Sequence, residues 1–135
     1  MSITLTDQDK LTLRNAAYGA VTLMAAAGAA GSPHRIATDG SLALSSATGL
    51  VGHVLAEKTK GLNLNGKSTA ELADRVLPDL TAAMALLGKQ DAAEAENFRG
   101  TVVVAVEAAA RTHQGEPGPA LAEMARKITG ALDAA

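Results

Sequence analysis

Asn15-Ala-Ala-Tyr18-Gly-Ala-Val21-Thr-Leu23-Met24-Ala-Ala-Ala-Gly28-Ala-Ala-Gly31-Ser-Pro33-His34 is the stretch on which the fold turns. With histidine neutral it holds no charge over 20 residues, long enough to raise the question of a membrane span. Its only large aliphatics are Val21, Leu23 and Met24, and the rest is chiefly Ala and Gly. Large aliphatics drive insertion into lipid, so the stretch reads instead as a helix apolar on all sides because other helices surround it. Lys10, Arg14, the apolar run and the small residues Ala29 to Gly31 also suit a secretory leader, but Asp7 and Asp9 spoil its basic start. The expectation is a soluble, cytoplasmic protein with no membrane association.

The composition of the whole chain agrees with close helix packing. Its 135 residues fit one domain, expected to be a single helical unit over residues 1–135. Hydrophobic residues make up 47% but aromatics only 1%, with Tyr18 and Phe98 the sole rings. Thirty alanines and 17 leucines face 3 isoleucines, so most apolar side chains are small. Such a chain buries enough surface to fold, and it lacks the rings on which single-stranded nucleic acids stack. Twelve basic residues against 14 acidic ones, with no run of either sign, leave no cationic surface for nucleic acid. The absence of cysteine removes disulfides, thiol catalysis and thiolate metal sites.

Around the apolar stretch, helix signals recur. Thr6 is an N-cap ahead of Asp7 and Asp9, whose charges favour the positive end of a helix running to about Ala30. Ser32-Pro33 opens a second helical region to about Thr59, with a turn at Asp39-Gly40 and an apolar stripe at Leu44, Ala47, Val51, Val54 and Leu55. Ser68 and Glu71 form a capping box before Leu72, Val76, Leu80, Met84 and Leu87. Pro78 predicts a kink or split there, and Gly88 an end. Asp91 and Glu94 open a further helix with Ala95, Phe98, Val102, Ala105, Val106 and Ala109 on one face and a Glu107–Arg111 pair outside. Its run from Thr101 to Val106 is β-branched, but the flanking signals favour helix. After the Gly115–Pro119 linker, Leu121, Met124, Ile128 and Leu132 mark a last helix carrying a Glu123–Lys127 pair. The sum is an all-α, Ala-rich bundle of five to seven helices.

Chemistry is harder to read. Gly61-x-x-x-x-Gly66-Lys67-Ser68 opens a helix and resembles the phosphate-binding loop of P-loop NTPases. That resemblance implies backbone amides around phosphates, Lys67 on phosphate oxygens and the Ser68 hydroxyl on Mg²⁺. It covers eight residues, and the preceding Glu57-Lys58-Thr59-Lys60 cannot end the buried strand that such a loop follows. Asp39-Gly40-Ser41-Leu42 is similar to the Asp-Ser-Leu attachment site of acyl carrier proteins, but an extra glycine interrupts it. His34, His53 and His113 have no second ligand at metal-binding helical spacing, so no metal or cofactor is expected. Tyr18, His34, Arg35 and His53 are the side chains that would line a small-molecule pocket between helices. Glycines at 49 and 52 beside His53 allow close approach, and Glu57 could orient its ring.

The first reading is therefore a non-enzymatic interaction or self-association module, a homodimer or higher, because several helices lack a clearly polar face. A helical protein with a pocket near Tyr18 and His53 is the alternative. Nucleotide or anion binding at Gly61 to Ser68 is the remote one.

Overall fold

The computed structural model describes residues 5–27, 44, 52, 54–55, 68–110 and 119–135. It is all-helical there. Four helices, α1 (Asp7–Ala27), α2 (Thr69–Gln90), α3 (Ala92–Ala110) and α4 (Pro119–Asp133), follow one another, and no strand occurs among the described residues. Leu44, Gly52, Val54 and Leu55 are also helical, and the two leucines and Val54 are buried. Ala47 and Val51 of the same stripe, the turn at Asp39-Gly40 and the linker residues 115–118 lie outside the described residues. So does the count of helices between α1 and α2.

α1 is the central helix, packing against α2, α3 and α4. Leu13, Ala16, Ala17, Ala20, Val21, Leu23 and Met24 are buried on it. That spread around the helix is what an apolar sequence without a polar stripe requires. No helix among the described residues is long and apolar enough to cross a membrane.

Close packing is most literal at Gly19. A Cβ placed there would sit 2.7 Å from Val76 Cγ2 and 3.0 Å from Cγ1, both inside van der Waals contact. The missing side chain lets the backbone of α1 lie directly on the branched side chain of α2. The small-residue content of α1 is thus used within the chain.

Caps set the helix starts. The Asp9 amide donates to Thr6 Oγ1 at 3.0 Å and the Thr6 amide to Asp9 Oδ2 at 3.1 Å, a reciprocal box that satisfies two donors. Asp9 thus adds a hydrogen bond to the charge effect expected of it. Ser68, with extended backbone, accepts from the Glu71 amide at 3.1 Å. Asp91 alone joins α2 to α3. Its amide donates to the Leu87 carbonyl at 2.8 Å, its carbonyl accepts from Ala95, and its Oδ1 accepts from the Ala93 amide at 2.9 Å.

In α2 one sequence expectation is corrected, and the kink or split expected at Pro78 is narrowed. Gly88 does not end the helix, which continues to Gln90 and stops at Asp91. Glycine terminates a helix where a left-handed residue is needed; here Asp91 takes extended backbone and closes the turn itself. Pro78 does not split the helix either. Both Pro78 and Asp74, whose carbonyl loses its donor, are exposed, so water can satisfy that carbonyl.

In α3, Ala95, Phe98, Val102, Ala105, Val106 and Ala109 are all buried, and the β-branched run is helical throughout. Arg111 lies outside the described residues. In α4, Leu121, Met124, Ile128 and Leu132 are buried, while Glu123 meets Arg126 at 3.0 Å rather than Lys127 one residue further on. Threonines inside the helices return their hydroxyls to the carbonyl four residues back, as Thr22 does to Tyr18 and Thr101 to Asn97. Thr81 reaches further, donating to the Ala131 carbonyl at 2.7 Å and so tying α2 to the last turn of α4.

Arg99 joins α3 to the end of α4 through Asp133, at 2.7 Å from Nε and 3.3 Å from Nη2. The hydrogen bond from Arg99 holds the Asp133 carboxyl below its ordinary range and raises the guanidinium in turn. Stability from this pair is present above the ordinary carboxylate range. It is lost as the pH falls through the lowered Asp133 value.

Candidate functional site

Arg14 and Tyr18 stand one turn apart on α1 and reach the same neighbour. Arg14 Nε donates to the Val54 carbonyl at 3.2 Å, and the Tyr18 hydroxyl to the Leu55 carbonyl at 2.9 Å. Arg14 is 8% exposed, the one buried charged residue among those described. Removing a guanidinium from water is costly unless hydrogen bonds replace its hydration, and the Val54 carbonyl supplies part of that replacement for Arg14. The carbonyls belong to consecutive helical residues, and each receives a donor from α1. The pair fastens the segment that carries Val54 and Leu55 to the central helix.

Burial pushes the Tyr18 phenol above the ordinary tyrosine value, and the nearby Arg14 charge opposes this in part. A raised phenol pKa means that the folded chain holds this proton more tightly than the unfolded one. Its contribution is complete below the unfolded value of about 10 and is lost as the pH climbs through the folded value. Tyr18→Phe removes the hydroxyl and leaves the Leu55 carbonyl without this donor, with an expected loss of about 1 kcal/mol at neutral pH. In denaturant titrations at increasing pH, the gap between wild type and Tyr18→Phe should narrow above about pH 10. A gap constant to high alkali would contradict the assignment.

Of the residues singled out in the sequence, Tyr18 and Ser68 are described. Tyr18 has its one proton on Leu55, and Ser68 is exposed and caps α2. His34, Arg35, His53, Gly66 and Lys67 lie outside the described residues, as do Gly61 and the rest of that loop. Arg14 was missed as a site residue. Its signal is a charged side chain between Leu13 and Ala16 on an apolar helix, four residues before the only tyrosine. Among the described residues no group of three His, Asp or Glu is placed to hold a metal ion.

The outer face of α3 is the other feature. Val104 is 54% exposed, the large hydrophobic side chain that the described fold leaves in solvent. Gly100 stands one turn before it and Ala108 one turn after, with Val103 alongside, half-buried. A Cβ at Gly100 would meet nothing within 4 Å. Nothing among the described residues calls for a glycine there.

Protein-family models, curated proteins and solved structures give no match to this chain.

Proposed function

We propose that the protein is a non-enzymatic helical module that associates with itself, using the outer face of α3. The observation that carries this reading is Val104, 54% exposed, whereas Phe98, Val102 and Val106 of the same helix are buried and Val103 is half-buried. Gly100 supports it. A glycine inside a helix costs about 0.5–1 kcal/mol relative to alanine, and no neighbour among the described residues accounts for it here. A bare backbone one turn from an exposed valine lets a second helix approach closely. The apolar side chains of α1, by contrast, are largely buried, with α2, α3, α4 and the segment of Val54 and Leu55 against that helix.

The same reading retains a bundle of five to seven helices, those beyond α1–α4 coming from the 33–59 pattern and supported by helical backbone at Leu44, Gly52, Val54 and Leu55. It includes a cytoplasmic setting, supported by Asp7 and Asp9 at the start of α1.

Two variants test the face by light scattering after size exclusion. Val104→Lys should leave the fold within about 0.5 kcal/mol of wild type, because the site is exposed, and yield monomer. Gly100→Ala should raise unfolding stability by about 0.5–1 kcal/mol, since the space is open, while weakening association. Stabilisation with association unchanged would remove Gly100 from the interface. Unchanged association in Val104→Lys would overturn the face.

A further inference from the structure

We draw no further inference here: the strongest candidate, the open and mainly apolar cleft between the last turns of α2 and the first turns of α3, lined by Met84, Gly88, Lys89, Ala92, Ala95 and Glu96, carries nothing because nothing in the structure shows what covers it.

Discussion

Gly19→Ala is expected to destabilise the fold by about 1–3 kcal/mol, although alanine is the better helix former. The added methyl would lie 2.7 Å from Val76 Cγ2, and Val76 is itself 2% exposed. A β-branched side chain in a helix has one strongly preferred rotamer, so Val76 cannot rotate away without strain. Relief must come from moving α1 and α2 apart, which loosens the main contact of the central helix. The sign of the effect should reverse when Val76 is truncated. In a Val76→Ala background, Gly19→Ala removes a flexible residue without a clash, and should be neutral or stabilising by up to about 1 kcal/mol. Urea unfolding of the four proteins in the cycle gives the coupling directly. Additive single effects would show that the two residues do not touch in this way.

Phe98→Ala should have the largest effect of any single truncation, about 3–5 kcal/mol. Phe98 is fully buried and is the only phenylalanine in a core otherwise built from Ala, Val, Leu, Met and Ile. No other ring is available to fill the space it would leave. Domains of this size are stable by only about 5–15 kcal/mol, so the variant would retain a small margin at best. Phe98→Leu keeps most of the volume and should cost much less. Circular dichroism melts separate the two outcomes, and similar midpoints for alanine and wild type would place Phe98 outside the core.

These two positions also show how far the sequence was legible. The stripes of α3 and α4 could be read residue by residue, because burial on one side of a helix leaves a 3.6-residue period that no other structure imitates. Phe98 belonged to such a stripe. Gly19 did not: its value lies in a contact with Val76, far along the chain, and only the general abundance of small residues in α1 hinted at it. For Arg14 the charge within an apolar helix was a legible signal, but its acceptor, 40 residues away, was not. The end of α2 was misplaced at Gly88 because glycine is a stop signal only where the backbone needs a left-handed turn. Asp91 served that end and the next beginning together. The P-loop resemblance stood on eight residues, of which the structure describes Ser68 alone, as a helix cap.

The central functional claim concerns the outer face of α3, where Gly100 and Val104 are choices that the described residues do not explain. Sedimentation equilibrium of the wild-type protein, from micromolar to near-millimolar concentration, tests it most directly. The account predicts an average mass that climbs from the 13.6 kDa of one chain toward a multiple of it as concentration rises. A mass fixed at 13.6 kDa across the whole range would contradict it.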